Sequence, residues 1–173
     1  MIVTEVPRPP QLDFLPDRTV VAQTPLAFFA IATDFDYPPS PLQYSLASAA
    51  APTASIDPST GYFSWTPGSV TGPHSFIVRV ADNSVPPLMD SRSFVVHVVA
   101  APSIKDIVLA NQVLTIRWEA IPGQIYRLQH SPNLYPGSWV DVAGDVTATS
   151  AIASKQQALP TNGRGYYRLR LVP

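Results

Sequence analysis

Ile56-Asp57-Pro58-Ser59-Thr60-Gly61-Tyr62-Phe63-Ser64-Trp65 decides how this chain folds. Asp57 starts a turn, Pro58 brings a preset φ, and Gly61 supplies the positive φ that lets the chain reverse before Tyr62 resumes an extended run. Residues 57–61 are therefore expected to close a β-hairpin. On both sides the same rhythm recurs. Leu26, Phe28, Ala30 and Ala32 alternate with their neighbours, as do Leu42, Tyr44 and Leu46, then Phe76, Val78 and Val80, then Phe94, Val96 and Val98. Period-two alternation of this kind marks half-buried strands, and short strands separated by turn residues mark a sandwich.

Composition agrees. Twenty of the 173 residues are proline and 46% are hydrophobic, while only 13% are charged, which disfavours long helices and leaves enough apolar surface for real cores. No stretch approaches the roughly 18 uninterrupted apolar residues of a membrane span. With no cysteine, disulfides, thiolate zinc sites and cysteine nucleophiles are all excluded. The proline-rich lead Val6-Pro7-Arg8-Pro9-Pro10 reads as an interdomain linker, so the expectation is a segment of a larger protein.

A second strand series begins after Ala100-Ala101-Pro102-Ser103. Leu114, Ile116 and Trp118 alternate, Pro122-Gly123 turns the chain, Tyr126 and Leu128 continue, and Tyr167, Leu169 and Leu171 close it. Two domains are expected, residues 1–101 and 102–173. Residues 1–103 carry four arginines against eight acids, net −4, and residues 104–173 carry seven bases against four acids, net +3. The fold class expected is all-β: two tandem antiparallel β-sandwiches.

The acids of the first domain collect at strand ends, in Ala32-Thr33-Asp34-Phe35-Asp36, in the 57–61 turn, and in Arg79-Val80-Ala81-Asp82-Asn83. Oxygen-rich loops suit a hard cation such as calcium, which takes six to eight oxygen ligands. The order of these motifs with Leu42-Gln43-Tyr44-Ser45-Leu46, Ile56–Pro67 and Phe76–Asp82 resembles a cadherin-like repeat. More closely it is similar to the dystroglycan-type cadherin-like, or immunoglobulin-like, domains of bacterial surface and secreted proteins, over about residues 9–100. That resemblance implies a seven-stranded Greek-key sandwich, with calcium in some members held where repeats join. Asp34 and Asp36 match the family's Asp-x-Asp loop, and Asp82 matches the acid after its penultimate strand. The acidic linker of true cadherins is absent from Val3–Pro10 and Val98–Ser103, and Trp65-Thr66-Pro67-Gly68 replaces the Leu-Asp-Arg-Glu turn. The expectation narrows to one calcium ion on Asp34, Asp36 and Asp82, with Glu5 or Asn83 as added ligands. The competing reading makes these acids turn caps for backbone N–H groups.

Residues 104–172 resemble, more loosely, the fibronectin type III-like modules of bacterial secreted proteins, through Leu114–Trp118, Pro122–Gln129, Ser131–Leu134, Ser138-Trp139 and Tyr166–Leu169. With Trp118, Tyr126, Leu128, Tyr167 and Leu169 inward, period two turns Arg117, Arg127, Gln129, Arg168 and Arg170 outward. That gives an arginine-rich sheet face, with Arg117 or Arg127 paired to Glu119 or the face meeting an acidic neighbour. By the same rule Phe29 and Ile31 point outward as an apolar patch that meets a partner.

Catalysis finds no footing. His74, His97 and His130 lie on separate runs without metal-ligand spacing, and there is no Gly-x-Ser-x-Gly elbow, His-Glu-x-x-His or phosphate loop. A net charge of −1 and pI of 6.2 argue against nucleic acid. The functional expectation is a non-catalytic structural, adhesion or spacer module of a secreted or cell-surface protein, with neighbouring domains as partners. The alternative is a carbohydrate-binding accessory module using Tyr135 and Trp139 as stacking platforms for a polysaccharide. A Lys-Asn or Lys-Asp isopeptide involving Lys105, Glu119 and Asn162 is the third idea.

Overall fold

The computed structural model describes residues 6–47, 51, 53–160 and 164–172. The chain divides into two compact units, Met1–Ala100 and Ala101–Pro173.

The first unit contains β1 (Gln11–Leu12), β2 (Arg18–Val21), β3 (Leu26–Phe29), β4 (Ala32–Thr33), β5 (Gln43–Leu46), β6 (Ser55–Ile56), β7 (Tyr62–Trp65), β8 (Gly72–Ala81) and β9 (Met89–Val99). Sheets of order β2-β9-β8-β5 and β3-β7-β6 form the sandwich, and β1 pairs with β4. Alternation along β8 buries Phe76, Val78 and Val80, and along β9 it buries Phe94, Val96 and Val98. Across the core, Phe63 of β7 stacks on Phe28 at 4.9 Å and meets Phe76 and Phe94 edge-on at 5.3 and 5.5 Å. These rings join one sheet to the other.

Two details differ from the sequence expectation. The run Leu26–Ala32 is not one strand: β3 pairs with β7, the chain breaks at Ala30-Ile31, and β4 then pairs with β1. Ala30 stays buried at the break, its N–H donating to the Gly61 carbonyl at 2.9 Å. Nor is the sandwich wholly antiparallel. β2 runs parallel to β9, Arg18 opposite Val96 and Val21 opposite Val99. Side-chain alternation cannot reveal strand direction, because period two is the same in both.

The second unit contains β10 (Ile104–Ala110), β11 (Val113–Glu119), β12 (Ile125–Ser131), β13 (Val140–Asp141), β14 (Val146–Thr147), β15 (Ile152–Ala158) and β16 (Tyr166–Val172). One sheet is β10-β11-β15, and in the other β12 pairs with β13, β14 and β16. Ile116, Trp118, Tyr126 and Leu128 form the core. Tyr126 buries its ring there and accepts the Ile121 N–H on its hydroxyl at 2.8 Å.

The 57–61 turn forms as expected. Asp57 Oδ1 accepts the Ser59 and Thr60 N–H groups at 3.0 and 2.8 Å, and the Gly61 N–H donates to the Asp57 carbonyl at 3.0 Å. Gly61 has φ +69°, and a Cβ there would lie 2.4 Å from the Ala30 carbonyl oxygen and 3.0 Å from the Tyr44 ring. Gly61→Ala is therefore expected to destabilise the first unit by more than about 1 kcal/mol, adding steric conflict to the positive-φ penalty. Urea unfolding followed through backbone amide NMR signals of the first unit would measure it, and an unchanged midpoint would refute it.

Candidate functional site

The acidic turns are held by backbone donors. Asp34 accepts the Asp36 N–H on Oδ1 and the Ser40 N–H on Oδ2, both at 2.8 Å. Asp36 accepts the Arg8 N–H on its two oxygens at 3.0 and 3.1 Å, and the Arg8 Nε lies 3.7 Å away. Asp82, almost fully buried, accepts the Ser84 and Leu88 N–H groups on Oδ1 at 3.0 and 2.8 Å and the Ser84 hydroxyl on Oδ2 at 2.9 Å. Desolvation pushes the Asp82 carboxyl up, but these three hydrogen bonds outweigh it and leave the group below its ordinary value. Asp57 is also lowered, by the Thr60 backbone and hydroxyl and the Ser59 N–H. Among the described residues no group of three or more His, Cys, Asp or Glu side chains could hold a metal ion. Glu5 lies outside the described residues.

The second unit carries a denser polar arrangement on the outer face of the β12 sheet. Arg127 forms a fork with Asp145, Nε to Oδ1 at 2.8 Å and Nη2 to Oδ2 at 2.7 Å, and its Nη1 donates to Asp141 at 3.1 Å. Asp141 also accepts the Gln129 side-chain N–H at 2.6 Å, and the Gln129 carbonyl accepts Arg168 Nε at 2.7 Å. The Arg168 guanidinium then lies 4.3 Å over the Trp139 ring. The hydrogen bond from Arg127, with its charge, holds the Asp145 carboxyl below its ordinary value and raises Arg127 in turn. Glu119 is not the arginine partner. Arg117 instead lies 3.9 Å from Asp106 on β10, and Arg127 takes the two acids of the β13–β14 segment. Of the arginines that alternation assigned to one face, Arg127, Arg168 and Arg170 share the β12 sheet, but Arg117 lies on β11 in the opposite sheet, because alternation does not say which strands pair; nor does it signal that Asp141 and Asp145 reach Arg127.

Lys155 is the lysine with a structural task. Its ammonium donates to the carbonyls of Val142 at 3.3 Å, Ala143 at 2.6 Å and Gly144, closing the loop before β14. Of the isopeptide trio, Asn162 lies outside the described residues.

The carbohydrate candidates stand at a 3₁₀ turn, Pro136–Ser138, which Tyr135 precedes and Trp139 follows. Tyr135 is 71% exposed, whereas Trp139 is half-buried with one ring face under Arg168. Neither residue lines the open cleft of about 580 Å³ in the same unit, which is formed by His130, Val140, Asp141, Gln157 and Tyr167 among others. His130 Nε2 and the Tyr167 hydroxyl are buried without a hydrogen-bond partner among the described residues, and burial raises Tyr167 above its ordinary value. On the first unit Phe29 and Ile31 are each 59% exposed, and Phe29 packs on its cross-strand neighbour Tyr62 at 5.1 Å. The outward patch is present.

No family model matches the chain, and no curated protein matches it. The strand order makes it an all-β chain of two sandwiches. Solved structures similar to it include human protocadherin-24 EC1-2, at 11% identity and TM-score 0.47, covering 96% of this chain and 94% of that one. Human CDH23 EC21-23 is similar at 17% identity and TM-score 0.43, over 86% of this chain and 62% of that one. A nucleoside hydrolase-related hypothetical protein from Saccharophagus degradans, associated with carbohydrate metabolism, is similar at 18% identity and TM-score 0.44, over 54% of this chain. The chain spans 26% of that protein's length. No activity follows from likenesses this distant.

Because Asp57, Asp82 and Asp145 have lowered carboxyls in the fold, their stabilisation is full above the unfolded-state value and is lost as pH falls through the folded one. The melting midpoint should hold level down to about pH 5 and drop below about pH 4. Asp82→Asn should lower the midpoint at neutral pH and give a shallower acid fall. A variant curve parallel to wild type would remove Asp82 from this account.

Proposed function

We propose that the chain is a non-catalytic structural and adhesion module of a larger extracellular or cell-surface protein, suited to bearing tension between neighbouring domains. The observation that carries this reading is the parallel pairing of β2 with β9, the first and last strands in chain order of the two main sheets of the first unit, β1 pairing apart from them with β4. Drawing those ends apart slides the two strands along each other, so the ladder bonds are loaded together. An antiparallel terminal strand pulled from its open end loses its bonds one after another. The parallel ladder is also extended at both ends. The Val95 N–H donates to Asp17 Oδ1 at 2.8 Å, and the Ala22 N–H donates to the Val99 carbonyl at 2.8 Å. In the second unit the first strand, β10, is antiparallel to β11, and its open end at Ile104 and Trp118 is the end that tension reaches first.

The exposed Phe29–Tyr62 patch supports contact with a neighbouring domain or surface protein. A polysaccharide is the second reading, favoured by the exposed Tyr135 beside Trp139. Within the first reading Asp34, Asp36 and Asp82 act as caps, and calcium on them is the alternative.

Atomic-force unfolding of the whole chain should show the second unit giving way first, identified by its shorter length gain, and the first unit at higher force. Asp17→Ala should lower only the higher peak. Equal peaks, or a peak indifferent to Asp17→Ala, would overturn the tension-bearing reading. Thermal melts in calcium and in chelator should coincide if the acids are caps. A midpoint raised by calcium, and no longer raised in Asp34→Asn, would make them ligands instead.

A further inference from the structure

We propose that the cleft between the two sheets of the second unit binds an uncharged sugar residue, with the Tyr167 hydroxyl and the Gln157 side-chain amide as its hydrogen-bonding groups. The inference builds on the polysaccharide reading but moves the contact into this cleft, which Tyr135 and Trp139 do not line. Tyr126 and Leu128 are the buried inward residues of β12, and the next position in that alternation is His130. Val140 lies opposite His130 on one side and Tyr167 on the other. From the facing sheet comes Gln157, paired with the buried Leu114. With Pro160 these residues bound about 580 Å³, inside the roughly 300–1,000 Å³ range of small-molecule pockets. The core thus turns polar at one end. It is the end of β16 farther from Val172, which stands opposite Ile125.

Tyr167 distinguishes this cleft from a gap in packing. Its hydroxyl is buried with no hydrogen-bond partner among the described residues, and burial holds its pKa above the ordinary value, so the group stays a neutral donor. An unpaired buried hydroxyl costs stability, and phenylalanine would supply the same ring without that cost. The ring itself is fixed. It packs on His130 at 5.2 Å between centroids, and His130 is locked in turn by Gly165, where a Cβ would lie 2.4 Å from Nε2. His130 is therefore a positioning residue, and the hydroxyl it helps to place finds its partner in a ligand.

The wall chemistry selects the class of ligand. Asp141 is the one acid on the wall among the described residues, and its two oxygens already accept hydrogen bonds from Gln129 and Arg127. An ionic ligand would meet no unspent counter-charge there. Val140 and Pro160 contribute apolar surface, while Tyr167 and Gln157 contribute neutral donors and acceptors. A sugar ring matches both, since its C–H faces lie on apolar surface and its hydroxyls donate and accept at once.

The test is an NMR titration of the whole chain with glucose, galactose, mannose and N-acetylglucosamine, and with galacturonate as the charged comparison. At least one neutral sugar should shift the His130, Val140, Gln157 and Tyr167 amides saturably and bind more tightly than galacturonate. Tyr167→Phe should weaken that binding at least about tenfold while its thermal midpoint stays level or rises, since no hydrogen bond of the free protein is lost. No saturable shift with any of the four neutral sugars would overturn the proposal, as would equal binding of galacturonate or full binding in Tyr167→Phe. A lowered midpoint in Tyr167→Phe would also overturn it, because the hydroxyl would then have a partner within the fold. Polysaccharide binding that is lost in Trp139→Ala and kept in Tyr167→Phe would remove the cleft alone and leave the polysaccharide reading standing.

Discussion

Phe63 touches Phe28, Phe76 and Phe94, and through those contacts the two sheets of the first unit become one body. Phe28 and Phe63 belong to the three-stranded sheet, Phe76 and Phe94 to the four-stranded one. Burying a phenylalanine side chain contributes about 1.5–3 kcal/mol, and edge-to-face geometry adds to it. These rings can meet only if every strand presents the correct face, since a slip of one residue would turn each ring to solvent. The turns therefore inherit a demand for fixed lengths and fixed directions. Asp34, Asp57 and Asp82 answer it by accepting N–H groups that the reversing chain would otherwise leave without partners.

The second unit rests on a smaller set of large side chains, with Trp118, Ile116, Tyr126 and Leu128 at its centre. Part of its order comes instead from charge. The series Asp145–Arg127–Asp141–Gln129–Arg168–Trp139 ties the β13–β14 segment to β12 and β16 through forked and charge-assisted hydrogen bonds. Lys155 holds the same loop from the other side. Arg127 and Arg168 of the arginine-rich face thus work within the fold, while Arg170 stands opposite Arg127 with no acidic partner among the described residues. The core is not free of cost, since Trp118 Nε1 is buried with no hydrogen-bond partner among the described residues.

Much of the architecture was legible because it is written in local chemistry. Gly61 and Asp57 announced the hairpin, and alternation at Phe76–Val80, Phe94–Val98 and Leu114–Trp118 identified inward faces that are all buried. The exposed Phe29 and Ile31 follow from the same rule. Less legible were the partners of the charged groups. Arg127 finds Asp145, eighteen residues away, and Arg117 finds Asp106 on the strand before it, while the nearby Glu119 takes neither. Spacing along the chain does not encode those choices, because the competing acids differ in position only after the strands have paired.

The sequence by itself determined an all-β chain with two strand series, the 57–61 hairpin, and which side chains face the cores, since each depends on residue type and period two. Only the tertiary structure decided that β2 runs parallel to β9, that the Leu26–Ala32 run divides between two sheets, and that β12, not β11, takes β16 as its neighbour. The physical reason is the same in each case. Strand direction and edge pairing are properties of which backbones lie side by side, and side-chain alternation is identical whichever neighbour the backbone meets.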